Sequence, residues 1–384
     1  MTDNIDLRGC IIAHRNDRMG GRLIAMINAM RIADENGLLF RVGWTTHGRT
    51  SEEIKTPSDI FAPDFIENPF FGGEALAKVW SDLINLATFD GASKDVLLQA
   101  TKQGSSFLSE PAIGQLVLPW EDKDTVKRTL PVYFKKIAFS QTVDAAMQRI
   151  DADFKGLSLR AYHIRRGDII SDPITSEKLW PNKYIPREFY EVHIRKFLDE
   201  GGDRCIVFSD TPAEIDRLKA IDDRILSFDD VVPHDGLKAG QRDILELYTM
   251  SKCPLIFGPP ESAFSQTAAT IGGGQVFAVQ SSLEEQDQSK AMNLMAARMA
   301  EPKTYFLGDG DIGQNFPFLK DHFENVGQPE KARAIIKNLV DQGFSRSYAL
   351  SILSRMSLDS GNLDETQQVL DAAGDRSIVT EEAM

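Results

Sequence analysis

Between residues 157 and 279 short apolar runs alternate with helical stretches, and this alternation restricts the fold more than any other feature of the chain. Residues 157–164, 205–208, 225–228, 255–257 and 275–279 read as strands; helices are predicted over about 186–199, from Pro212, over 240–250 and over 264–271. Pro212 suits a first helical position, where its missing N–H is not needed, and Gly272-Gly273-Gly274 stops the last helix. Parallel neighbours must be joined by a crossover, so strict strand–helix alternation predicts a parallel, doubly wound sheet. The N-terminus begins the same way. Residues 7–13 read as a strand and the polar stretch 14–21 as a loop. Leu23, Met26, Ile27, Met30 and Ala33 then fall at helical spacing before Gly37 and a second strand over 38–44. A helix is expected near 142–150; the rest of 74–150 shows no clear period.

A chain of 384 residues is long enough for two domains, each with its own core. The expected divisions are an N-terminal α/β domain over 1–152, a Rossmann-like domain over 153–300, a connector over 301–327 and a helical appendage over 328–384. The strand–helix alternation is complete before the appendage. Its three amphipathic segments are therefore expected to dock on the rest of the chain or on a protein partner, and to be dispensable for ligand binding. The net charge of -14 argues against a general nucleic-acid or anionic-membrane surface, while leaving room for a local arginine pocket. Cys10, Cys205 and Cys253 are few, odd in number and widely spaced, so neither a disulfide framework nor a zinc site is expected. The first residues lack the apolar core of a signal peptide, and no window approaches the roughly 20 apolar residues that span a bilayer. A cytoplasmic protein with no integral membrane segment is expected.

The run 157–164 closes on His163-Ile164-Arg165-Arg166-Gly167-Asp168. Strand alternation puts His163 and Arg165 on one face and Ile164 and Arg166 on the other. A guanidinium beside an imidazole at the carboxyl edge of a strand can bind a phosphate by two parallel hydrogen bonds. An Arg–Asp pair that merely finishes the strand is the plainer reading of the same residues. Two more polar clusters stand at strand ends, Ser209-Asp210-Thr211 and residues 258–262, and both lead into helices whose N–H groups can receive phosphate oxygens. Ligands of open parallel sheets bind outside the carboxyl ends of the strands, so the three ends together predict a nucleotide diphosphate site. Ser262 and Ser265 offer hydroxyls beside Glu261, although a helix N-cap explains the serines equally well. Gly20-Gly21 is either a ligand loop or a tight turn. Asp151-Ala-Asp153 and Asp309-Gly-Asp311 stand at no strand end and read as solvated turns, not metal ligands.

Together these residues resemble the signatures of fucosyltransferase-like glycosyltransferases of the GT-B type, among them bacterial α-1,2- and α-1,6-fucosyltransferases and protein O-fucosyltransferases. The hexapeptide 163–168 is similar to the first signature and Val207-Phe-Ser-Asp-Thr211 to the second. Residues 243–266, with the Pro260-Glu-Ser-Ala-Phe-Ser265 turn, are similar to the third, and Gly20-Gly21-Arg22-Leu23 to the glycine-rich opening. The resemblance implies an α/β, GT-B-like architecture: two Rossmann-like domains facing a cleft, with a C-terminal helical appendage. It implies a bacterial enzyme that transfers fucose from GDP-fucose with inversion to a glycan or other acceptor, without a metal or a separate cofactor. Arg165 would then meet the β-phosphate, His163 the base or ribose, and Ser262 the diphosphate. Gly20, Gly21, Arg22, Arg166, Ser209, Asp210, Thr211, Glu261 and Ser265 would line the nucleotide-sugar site.

An inverting transfer needs a base for the acceptor hydroxyl. Asp168 and Asp172 are the nearby carboxylates, and Asp168 reads equally as a residue that orients the arginine pair. Three positions depart from the family's pattern. Gly21 replaces a common Asn, Pro254 replaces an Asp that helps recognise guanine, and Asp172, beside Pro173, is the nearest match to a base found in some members. These departures motivate a second reading, a non-catalytic nucleotide-sugar-binding protein whose helical tail is an interaction module. Trp44, His47, Arg49 and Phe61 are candidates for the acceptor side. Because no acidic pair stands at a strand end, binding of GDP is expected to be unchanged by chelator in a calorimetric titration. A strict requirement for magnesium or manganese would reject the metal-free site and point back to Asp309 and Asp311.

Overall fold

The computed structural model describes residues 5–45, 54–111, 113–232 and 236–373. Two five-stranded parallel sheets carry the chain, as the alternation predicts. In the first, β1 (Cys10–His14), β2 (Leu39–Gly43), β3 (Phe70–Phe71), β4 (Ile84–Asn85) and β5 (Phe107–Ser109) lie in the order β3-β2-β1-β5-β4. In the second, β6 (Leu159–Ile164), β7 (Arg204–Ser209), β8 (Ile225–Ser227), β9 (Leu255–Phe257) and β10 (Gln275–Phe277) lie in the order β10-β9-β6-β7-β8. Each sheet winds outward from one strand, β1 or β6, and later fills the other side of it with β5 or β9. The strand order therefore reverses between β1 and β5 and again between β6 and β9, and such a switch point is where an open α/β sheet forms a crevice for ligands. The chain divides into two compact units, Met1–Ala161 with Leu226–Ile256 and Pro260–Val276, and Tyr162–Ile225 with Phe257–Pro259 and Phe277–Met384.

In the first unit β1 is wholly buried, with Ile12 opposite Arg41 on one side and Leu108 on the other. The helix Met19–Asn36 is buried along nearly all of its length, including Leu23, Ile24 and Ile27 and also the polar Arg22, Asn28 and Arg31. It starts at Met19, so Gly20 and Gly21 belong to its first turn and not to the loop expected over 14–21. The backbone N–H of Gly37 closes it on the carbonyls of Ala33 and Asp34. The strands β3 and β4 have two residues each, too few for alternation to register.

In the second unit three tail helices, Pro329–Asp341, Ser347–Asp359 and Leu363–Ala373, lie within the helical appendage expected over 328–384. They pack on one another and on the helix Phe316–Asn325. The Phe344 ring lies 5.1 Å from that of Phe316, and Ile336, Leu339, Leu350 and Leu353 are buried. Arg346 forms an ion pair with Glu177 in the loop that follows the hexapeptide. The tail thus docks on its own chain. No helix among the described residues is long and apolar enough to cross a membrane. A chain ending at Gly327 loses the cover over Phe316, and full burial of such a side chain is worth roughly 1.5–3 kcal/mol. The expected outcome is a lower melting temperature and new binding of a hydrophobic dye. An unchanged melting curve would show that the tail contributes nothing to the core.

Candidate functional site

The site is built from the end of β6. β9 lies beside it, and Gly258 follows β9 directly. A Cβ at position 258 would stand 2.7 Å from the His163 carbonyl oxygen and 3.0 Å from the His163 Cβ, so only glycine lets the strand ends come this close. The Tyr190 hydroxyl donates to the same carbonyl at 2.9 Å. His163 is buried, and that burial pushes its imidazole below the ordinary histidine range; Asp210 opposes the shift and Arg165 adds to it. The ring is neutral at physiological pH.

Arg165 stands at the mouth of this edge with its side chain 40% exposed. Its Nη1 donates to Asp210 Oδ2 at 2.6 Å and its Nη2 to Asp168 Oδ1 at 2.5 Å. The second cluster holds this loop in place. Asp210 Oδ1 accepts the Arg166 N–H at 2.9 Å, Thr211 Oγ1 accepts the Gly167 N–H at 3.2 Å, and Ser209 Oγ accepts the Thr211 N–H at 3.2 Å. Asp172 shapes the next turn, its Oδ1 accepting the N–H groups of Ile174 at 3.0 Å and Thr175 at 2.8 Å.

Arg166 has the opposite surroundings. Its side chain is 1% exposed, 4.2 Å over the Tyr184 ring, with Nη2 donating to the Ile185 carbonyl at 3.1 Å and Nε 3.3 Å from Asp311 Oδ1. Glu214 stands 3.9 Å from it. Asp311 is therefore not in a solvated turn. It lies buried in the helix Asp309–Gln314, where it also accepts the Tyr184 hydroxyl at 2.7 Å and the Leu307 N–H at 2.9 Å. Tyr184, Glu214 and Asp311 are the residues that sequence reasoning missed. They carry no periodic signal, and no local feature marks them as partners of a buried cation. Asp151, read as part of a turn, sits near the end of the helix Gln141–Asp153 and accepts the Tyr248 hydroxyl at 2.8 Å.

The remaining predicted residues belong to the first unit. Gly20 packs on the start of the helix Ala263–Gly272: a Cβ there would lie 3.0 Å from the Phe264 Cα, and Thr267 donates to the Gly20 carbonyl at 2.9 Å. Gly21 faces the Asp17 carboxylate, which occupies the space a side chain would need. Ser262 caps that helix, its side chain accepting the Ser265 N–H, while Ser265 is buried and Glu261 exposed. Arg22 is buried, donating through Nε to the Asp17 carbonyl at 2.7 Å and through Nη2 to the Thr45 carbonyl at 2.8 Å. Trp44 and Phe61 are core residues whose rings meet at 5.8 Å; His47 and Arg49 lie outside the described residues. His14, at the end of β1, is buried, and burial, with Arg22 reinforcing it, pushes its imidazole down to about 4.

No family model matches the sequence, and no curated protein matches it. Among solved structures the chain is similar to the fucosyltransferase NodZ from Bradyrhizobium, at 15% identity and a TM-score of 0.41, over 68% of this chain and 91% of that one. It is similar to the NodZ α-1,6-fucosyltransferase soaked with GDP-fucose, at 14% identity and a TM-score of 0.42, over 69% and 92% of the two chains. It is also similar to POFUT1 in complex with GDP-fucose, at 11% identity and a TM-score of 0.39, over 71% and 96%.

The buried histidines make stability depend on pH. In the unfolded chain His14 protonates near its ordinary pKa of 6.5, but in the native state only near 4, so the unfolded state binds more protons between these values. Stability falls as pH drops through that window, by about 2 kcal/mol between pH 7 and pH 5 for one such histidine. Urea denaturation at the two pH values should show the loss, and His14→Phe should flatten it. A pH dependence identical in the variant would mean that His14 is not held neutral.

Proposed function

We propose that this chain is a metal-independent, inverting glycosyltransferase that uses GDP-fucose as donor and a glycan or other hydroxyl compound as acceptor. The observation that carries the reading is the contrast within Arg165-Arg166. Both arginines follow the strand at the switch point, yet one is buried in a structural cluster and the other is half-exposed and oriented by Asp168 and Asp210. An oriented guanidinium at this edge suits the β-phosphate of a nucleotide sugar. In the transfer the acceptor hydroxyl gives its proton to a carboxylate base, for which Asp172 is the candidate, and its oxygen bonds to the anomeric carbon while the bond from that carbon to the β-phosphate oxygen breaks. The electron pair leaves on the diphosphate, and Arg165 stabilises the developing charge. The neutral His163 suits contact with base or ribose. Asp210, Ser209 and Thr211 act as positioning residues through the loop, and Asp168 as a positioning residue on Arg165.

A second reading is a protein that binds the nucleotide sugar without turnover. It is favoured by the two carboxylates that already occupy both terminal nitrogens of Arg165, since a phosphate must displace one of them. Release of GDP from GDP-fucose separates the readings: turnover in the presence of an acceptor panel supports the transferase, and binding alone supports the silent protein.

Two variants test the site by calorimetry with GDP. Arg165→Ala should weaken binding by roughly ten- to more than a hundred-fold, since a charge-assisted contact to phosphate is worth about 1.5–3 kcal/mol. Asp168→Asn should tighten binding, because it removes a competing charge from Arg165 while Asp210 still orients it. Unchanged affinity in a folded Arg165→Ala variant would refute the assignment.

A further inference from the structure

The helix Asp309–Gln314 does more than neutralise Arg166. Its two glycines let it lie close against both the site loop and the tail. A Cβ at Gly310 would fall on the Ile170 carbonyl, and one at Gly313 on the Tyr348 hydroxyl. Gln314 ends this helix and is 2% exposed. Its Oε1 accepts the Trp180 N–H at 2.9 Å and its Nε2 donates to the Lys178 carbonyl at 2.7 Å. Both ends of the buried amide are thus met by the backbone of the loop that follows the hexapeptide.

From Gln314 a chain of hydrogen bonds runs back toward the site. The Trp180 Nε1–H donates to the Thr175 carbonyl at 2.9 Å, and the Thr175 N–H donates to Asp172 Oδ1 at 2.8 Å. The Asp172 carbonyl in turn accepts the Ser176 N–H at 2.9 Å. The tail touches the same turn: Arg346 Nη1 lies 3.4 Å from Ser176 Oγ and is ion-paired with Glu177. Glu177 is 49% exposed, and so exposed a pair holds little, which leaves the buried amide as the stronger grip. None of these bonds involves Arg165, whose guanidinium is oriented by Asp168 and Asp210. The candidate base and the phosphate contact are held by separate sets of bonds.

We propose that Gln314 is a positioning residue for Asp172, acting through Trp180 and Thr175. The proposal rests on the glycosyltransferase reading, in which Asp172 takes the proton of the acceptor hydroxyl. A base that loses its aim costs rate, not nucleotide affinity. In the full chain Gln314→Ala is therefore expected to lower kcat for GDP release from GDP-fucose, with acceptor present, about tenfold, while KM for GDP-fucose and the calorimetric affinity for GDP stay unchanged. Trp180→Phe breaks the next link and should do the same. The double variant should be no slower than either single one, since links of one chain are not additive. Nitrogen NMR with labelled tryptophan gives a readout that needs no turnover. Of the four indole signals, the one missing in Trp180→Phe should shift, and its N–H should exchange faster with solvent, in Gln314→Ala. An unmoved indole signal, a GDP affinity that falls with kcat, or additive losses in the double variant would overturn the proposal. If Gln314→Ala fails to fold, Trp180→Phe carries the kinetic test: an unchanged kcat overturns the proposal, and a tenfold fall at unchanged GDP affinity supports it. A wild type without turnover refutes the transferase reading, and the indole signal then decides alone whether Gln314 holds the Asp172 turn.

Discussion

A guanidinium that is 1% exposed has to be neutralised, because an unpaired buried charge costs several kcal/mol, and much of the second unit is arranged to do this for Arg166. Glu214 comes from the helix Pro212–Lys219, Asp311 from the helix Asp309–Gln314, and the Tyr184 ring from the loop before the helix Arg187–Asp199. The partners are themselves held. Arg187 donates to Glu191 at 3.0 Å and to the Tyr305 carbonyl at 2.6 Å, and stands 3.3 Å from Glu214. Arg298 spans Glu188 and Glu191 at 2.8 Å and 2.7 Å. Through these contacts the chain beyond β10 is tied to the loop that follows β6. The loop is fixed from behind by buried charge, and Arg165 inherits that rigidity in front.

Pre-organisation of this kind matters more than the presence of an arginine. A free surface arginine loses rotamer entropy when it grips a phosphate, whereas Arg165 is already aimed by Asp210 and Asp168 on one side and by the anchored Arg166 backbone on the other. Asp210 serves both ends of the arrangement, with one oxygen on the Arg165 guanidinium and the other on the Arg166 N–H. The second cluster is thus understood through the first: it fixes the backbone on which the exposed arginine stands.

Both sheets and the hexapeptide's place at a strand end were legible because alternation and strand–helix order are local properties of the sequence. The opposite settings of Arg165 and Arg166 follow from the same period of two. What could not be read depends on residues far apart. The partners of Arg166 lie in three separate segments, and nothing near Asp311 distinguishes a buried carboxylate from an exposed one. Gly20 looked like a loop glycine because its reason for being glycine, the backbone of Phe264, is distant in sequence. β3 and β4 were invisible because two residues make no pattern. Legibility therefore stops where a residue's role is set by tertiary contact alone.

Placing a histidine near the carboxyl end of the strand beside each switch point, His14 on β1 and His163 on β6, has one physical consequence in both units. Burial keeps each ring neutral, so neither adds positive charge to an anion site at physiological pH. A neutral imidazole presents one donor and one acceptor in fixed directions, which suits hydroxyl and amide groups better than phosphate. In the second unit charge is left to Arg165, whose exposure lets it reach a ligand; in the first, Arg22 is spent on Asp17, Thr45 and Trp44 and keeps one buried N–H. The same pairing of histidine with arginine thus has two settings: an exposed guanidinium oriented by two carboxylates in the second unit, and a buried guanidinium held by backbone carbonyls in the first.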